Sequence, residues 1–292
     1  MGQMVKHNGY WCEKVASGWK VRVSEFASGQ RETLITRRFE YHVGTEFFED
    51  GSALVEEIDQ SGTLLQAERD AQRAEVLAWK AGQRAKRNCR GKIKEAGFDE
   101  LLTITYRQNQ CDLALCRTHF AAWLRKMRKA LPGFRGVWAF ERQKRGAWHV
   151  HVCCDRLPVL MHFRGARVKS WKVGTALWRD VVGPNNGLCF VGGKDGRFNR
   201  YRSCAKMAGY VSKYLTKHHE DGVKDARMWD STRGLTPKKP RVFEFPECPL
   251  GDVIVAAWEL PEGHVVANHI CTRENSMWLL YSEPAPCVRG GV

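Results

Sequence analysis

Apolar and polar positions along this chain follow two periods, and where each holds it predicts an element. Leu101 to Tyr106 (LLTITY) is an apolar run of strand length and reads as a buried strand. From Thr118 to Leu131 the apolar residues Phe120, Trp123, Leu124, Met127 and Leu131 recur at helical spacing. Arg125, Lys126, Arg128 and Lys129 fall on the other side, so the segment predicts an amphipathic helix, ended by Pro132-Gly133. Gly136 to Glu141 and Trp148 to Cys153 predict two strands joined as a β-hairpin around Lys144-Arg145-Gly146. A short helix over Thr175 to Val182, a strand over Leu188 to Val191 and a helix from Ser203 to about His218 follow. The order β-α-β-β-α-β-α predicts an α+β fold with an antiparallel central sheet and helices on one face.

The flanks are less patterned. Residues 1–62 read as an N-terminal accessory segment with short β-type runs, Trp19 to Val23 and Thr33 to Phe39. Residues 63–97 read as a basic helical segment, opened by a capping box of Thr63 and Gln66 and helical to about Cys89. The core is assigned to 98–235. Residues 236–292 read as a linker and a C-terminal accessory segment. Pro237, Pro240, Pro246 and Pro249 make 236–250 an irregular strip, and strand-like runs follow at Val253 to Trp258 and Met277 to Tyr281.

Charge narrows the partner. The 292 residues carry a net charge of +15, which favours a polyanion, nucleic acid first. Seven basic residues and no acidic one lie between Lys80 and Lys94, a pattern that fits either a phosphate clamp or a solvated helix face. No apolar run is long enough for a membrane span, and no apolar stretch near the start suggests a secretory leader. The 11 cysteines lack CxxC spacing, so they read as reduced thiols of a cytosolic protein, not as a disulfide framework or zinc site. No GxxxxGK[ST] run occurs, so no fused helicase is expected.

Two constellations carry candidate chemistry. His149-Val150-His151 lies in the second hairpin strand, so both imidazoles share a face while Trp148, Val150 and Val152 take the other. Two imidazoles on an open sheet face suit a divalent metal, and Glu141, at the end of the partner strand, is placed to add a carboxylate if the hairpin register allows. The pair reads also as polar residues on an exposed face. Tyr210-Val-Ser-Lys213-Tyr214-Leu-Thr-Lys217 is the second. On a helix its two phenols and two ammonium groups share an arc beside the apolar stripe Met207, Val211 and Leu215. Lysine charge near a phenol favours phenolate and the charge that builds on a phosphoryl group, although both tyrosines fit an ordinary packing role too. Trp229 and Arg233, in a loop-like stretch, could stack on or clamp unpaired bases, or simply pack.

With these residues in place, the chain resembles the HUH endonuclease superfamily, specifically its rolling-circle replication initiators. Leu101 to Tyr106 looks like the first motif of that family. Trp148-His-Val-His-Val152 looks like the second, and Tyr210 to Lys217 looks like the YxxxYxxK third motif of two-tyrosine phage initiators. The resemblance implies a ferredoxin- or RRM-like core and a Mg2+ or Mn2+ ion held by His149, His151 and Glu141. It implies nucleophilic Tyr210 and Tyr214, with Lys213 and Lys217 as supporting charges. It further implies a 5′-phosphotyrosine intermediate, single-stranded and origin DNA as partners, and a host helicase in a bacterial cytoplasm. A transposase of the same superfamily and a non-catalytic nucleic-acid-binding module are the alternatives.

Overall fold

The computed structural model describes residues 3–7, 10–43, 62–191, 204–213, 228–259, 264–271 and 277–284. They fall into two compact units. One comprises 26–28 and 75–237, the other the remaining N-terminal residues together with 238–292.

The larger unit is built on a five-stranded antiparallel sheet. Its strands are β4 (Glu100–Tyr106), β5 (Gly136–Arg142), β6 (Trp148–Cys154), β9 (Gly187–Val191) and β10 (Trp229–Ser231), in the order β10-β5-β6-β4-β9. The α+β class and the antiparallel sheet expected from the sequence are present. The β5–β6 hairpin closes through Gln143 N–H to the Ala147 carbonyl and Gly146 N–H to the Gln143 carbonyl, both at 2.8 Å. Gly146 sits at φ +88°, a conformation only glycine takes without strain. A small hairpin not foreseen from the sequence, β7 (Leu160–Phe163) and β8 (Ala166–Lys169), follows β6. It turns through Arg164 and Gly165, which both have positive φ, as a tight hairpin turn requires.

One face of this sheet receives α2 (Leu113–Ala130) and α3 (Ser170–Val182). Helix α2 starts five residues before the predicted Thr118, because the Asp112 carboxylate caps it by accepting from the Ala114 and Leu115 amides at 2.8 and 3.2 Å. Its buried stripe sets Phe120 against Trp123, Trp138 and Phe140 at centroid distances of 5.2–5.8 Å. Such burial contributes roughly 1.5–3 kcal/mol per large side chain. The indole N–H groups of Trp123, Trp148 and Trp178 donate to the Gly174, Cys111 and Thr105 carbonyls, so these rings enter the core without an orphaned donor.

The opposite face, read from sequence as open, is partly roofed. Helix α4 (Cys204–Ser212) buries Cys204, Met207, Ala208 and Val211 against it, and the Cys204 thiol donates to the Ile93 carbonyl near the end of α1 (Gly62–Ala96). Helices therefore pack on both faces. The reason is long-range: Cys153 and the other β6 residues on the histidine side are themselves buried and need a cover. Helix α1 also sorts the basic segment. Lys80, Arg84 and Arg87 are exposed, Lys92 donates to Ser231 Oγ, and Lys94 is buried with its ammonium 5.6 Å from the Phe26 ring centroid.

In the other unit, β1 (Gln3–His7), β2 (Tyr10–Glu25), β3 (Arg31–Val43), β13 (Met277–Pro284) and β12 (His264–Cys271) pair in that order, and β11 (Arg241–Phe245) pairs with β2. The proline-rich strip thus contains a strand between Pro240 and Pro246 instead of being irregular throughout. The run Val253 to Trp258, read as a strand, lies within helix α5 (Leu250–Glu259). Val253 and Ala257, four apart, are buried with Trp19, Val21, Val23 and Ile35, while Val255 and Trp258 are exposed. That is helical periodicity inside an all-apolar run too short for its period to show. No helix among the described residues is long and apolar enough to cross a membrane.

Candidate active site

Strand alternation places the histidines as expected. Glu141 pairs directly with His149 across the hairpin, and Thr103 on β4 pairs with His151. All four side chains therefore share one sheet face, and the register that could have turned Glu141 away does not. His149 and His151 are nevertheless 8% and 4% exposed, not polar residues on an open surface.

Contacts divide the trio. His151 Nε2 lies 2.7 Å from Glu141 Oε2, and its Nδ1 lies 3.2 Å from Thr103 Oγ1. An ionised carboxylate only accepts, so Nε2–H donates to Glu141, and in that tautomer Nδ1 accepts from the Thr103 hydroxyl. His149 differs: its Nε2 is buried and has no hydrogen-bond partner among the described residues. Its pKa is pushed down to about 4, first by burial, then by the neighbouring His151, with Arg145 adding and Glu141 opposing. A neutral imidazole with such a nitrogen could serve as a metal ligand, and Glu141 could add a hard oxygen donor beside it. The donor chemistry fits a divalent cation. The three do not stand as a closed cage, however. Among the described residues no group of three or more His, Cys, Asp or Glu converges at ion-holding distance.

Helix α4 brings the tyrosine to the histidines. The Tyr210 ring meets the His151 ring edge-on, with centroids 5.9 Å apart and planes at 89°. Tyr210 is half-buried, and Lys213, just past the helix end, sets its ammonium 4.4 Å from the Tyr210 ring centroid. Tyr214 and Lys217 lie outside the described residues, as do the predicted cap Ser203 and the continuation toward His218.

Two contributors were not singled out from the sequence. Thr103 sits in a quoted motif, but only the β4–β6 register shows that it holds His151. Arg145, read merely as a turn residue, bends back with its guanidinium 3.5 Å from the Tyr106 carbonyl and within electrostatic reach of His149. Beyond Thr103 and Thr105, register places Phe190 and Leu188 on the same face at the sheet edge, 48% and 40% exposed.

Residues 99–219 match the family model described as Replication-associated protein ORF2/G2P. This part of the chain, which holds both the histidine strand and the tyrosine helix, is thus similar to replication-associated proteins. No curated protein and no solved structure matches the chain.

Proposed function

We propose that residues 98–235 nick and rejoin single-stranded DNA at a replication origin, as a rolling-circle initiator with Tyr210 as nucleophile. One observation carries this reading: Tyr210 on α4 meets His151 of the buried histidine pair on β6, ring centroids 5.9 Å apart, with the Lys213 ammonium over the same phenol ring. The similarity of the same residues to replication-associated proteins supports it.

The Tyr210 phenolic oxygen attacks the scissile phosphorus. An O–P bond forms to tyrosine, the P–O3′ bond breaks, the phenolic proton passes to solvent and the departing 3′ oxygen takes one up. The products are a 5′-phosphotyrosine and a free 3′-hydroxyl primer. Because one phosphodiester replaces another, a later 3′-hydroxyl can reverse the exchange and close the strand. Lys213 offsets charge on the phenolate and on the phosphoryl oxygens. His149, His151 and Glu141 would hold Mg2+ or Mn2+, which supplies Lewis-acid polarisation of the phosphate when bound. Thr103 keeps the His151 ring in one orientation. Phe190 and Leu188 offer the neighbouring base a stacking surface. Tyr214 and Lys217 enter through the YxxxYxxK spacing as the second nucleophile and its supporting charge, the two-tyrosine phage arrangement. A host helicase in a bacterial cytoplasm would open the duplex.

Incubation of the purified chain with candidate origin oligonucleotides and Mn2+ should yield a covalent protein–DNA adduct. Tyr210→Phe with Tyr214→Phe should abolish it. His149→Ala should abolish nicking yet leave salt-sensitive DNA binding. Nicking that survives His149→Ala would remove the metal assignment, and nicking that survives the double tyrosine variant would remove the mechanism.

A further inference from the structure

At the β10 edge of the five-stranded sheet lies a cleft of about 700 Å3, bounded by α2, the turn after it and the β10 strand end. Trp138 forms part of its floor. It alternates with Ala139 on β5 and packs on Phe120 of α2, so the cleft opens on the face away from the histidines. Leu124, Phe134 and Trp138 make the floor apolar, each with 5–8% of its surface still exposed. A cleft of this size falls within the roughly 300–1,000 Å3 typical of ligand sites.

The rim is cationic. Arg135 is paired with Asp155 through two bonds of 2.9 and 2.7 Å. Arg128 and Arg233 stand on the same rim, exposed, and neither pairs with a carboxylate among the described residues. Among the described residues, no acidic side chain lines the cleft. Two guanidiniums without a carboxylate partner among the described residues, over an apolar floor, match a phosphodiester with its unstacked base. A solvated basic surface would have neither the concavity nor the exposed ring edges.

We propose that this cleft is a second DNA-strand site, which grips a nucleotide of the origin strand flanking the scissile phosphate. The proposal rests on the strand-nicking reading above and adds a site remote from its chemistry. It explains how a protein whose reactive groups sit on one sheet face could keep hold of the strand while its 3′ end is extended.

The test uses the full chain and fluorescence anisotropy at several salt concentrations. A short oligonucleotide around the nick and one extended by a single-stranded flank are compared. Arg128→Glu with Arg233→Glu should weaken binding of the extended oligonucleotide at least tenfold, and affinity for the short one should be unchanged. Arg128→Gln with Arg233→Gln should make the log–log salt slope shallower by about 0.7, the loss of one single-strand phosphate contact. Arg125→Glu with Lys129→Glu, on the outer side of α2, controls for overall charge. Equal losses in the control and cleft variants, or wild-type binding of the extended strand by the cleft variants, would overturn the proposal. So would tight binding of free dAMP that the cleft substitutions abolish while strand binding persists, because the ligand would then be a mononucleotide. Adduct formation on the short oligonucleotide reports the nicking reading separately. Its absence in the wild type would sink that reading, and anisotropy would still decide the cleft.

Discussion

Burial of His149 should make this protein acid-labile in a defined window. In the fold its pKa is pushed down to about 4, against an ordinary value of 6.5. A depressed histidine is neutral in the folded state while its unfolded counterpart takes up a proton, so the unfolded state gains stability as pH falls below about 6.5. The loss grows until the folded pKa is reached, and would total on the order of 3 kcal/mol for a difference of about 2.5 units at 1.36 kcal/mol each. Between pH 7 and pH 5 it should reach about 2 kcal/mol. The assay is urea unfolding of wild type and His149→Gln at both pH values. Glutamine does not titrate, so other ionisable groups cancel in the comparison. The variant is expected to be weaker than wild type at pH 7, through disturbed packing, yet to lose about 2 kcal/mol less on going to pH 5. Parallel pH dependences in the two proteins would refute the reasoning, because His149 would then be free to protonate in the fold.

Other outcomes follow from individual contacts. Thr103→Val removes the hydroxyl at His151 Nδ1 and should cut the nicking rate about tenfold, with DNA affinity unchanged and about 1 kcal/mol lost in denaturant unfolding. Phe190→Ala, at an exposed edge position, should weaken single-strand binding by about 1–3 kcal/mol without lowering the melting temperature. Gly187→Ala would put a Cβ 2.3 Å from Trp178 Cδ1, so that variant should unfold more easily by about 1–3 kcal/mol, read in urea.

Local pattern and long-range packing were unequally legible in the sequence. The β5–β6 hairpin could be read because a glycine turn separates two strand-length runs, and side-chain alternation alone puts His149 and His151 on one face. Glu141 depended on register, which the Gln143–Ala147 closure sets. The true start of α2 is hidden in the sequence because Asp112 caps it ahead of an apolar run whose period is ambiguous. The same ambiguity made a strand of the α5 residues, where only burial distinguishes Val253 and Ala257 from Val255 and Trp258. The roof over the histidines was out of reach, because α4 follows β6 by about fifty residues and nothing local tells which sheet face it covers. Lys94 misled in the same way: its charge reads as surface, and only the packing around Phe26 buries it. Trp229 and Arg233 carried an undirected hint of base contact, and the fold gives Arg233 a place on the rim of the β10 cleft.

The central claim is that Tyr210, set against the histidine pair, becomes joined to DNA. Its most direct test is mass spectrometry of the proteolysed adduct formed with a single-stranded origin oligonucleotide and Mn2+. A 5′-phosphonucleotide is expected on the peptide carrying Tyr210, absent after His149→Ala. Strand cleavage that leaves every peptide of the tyrosine helix unmodified would contradict it.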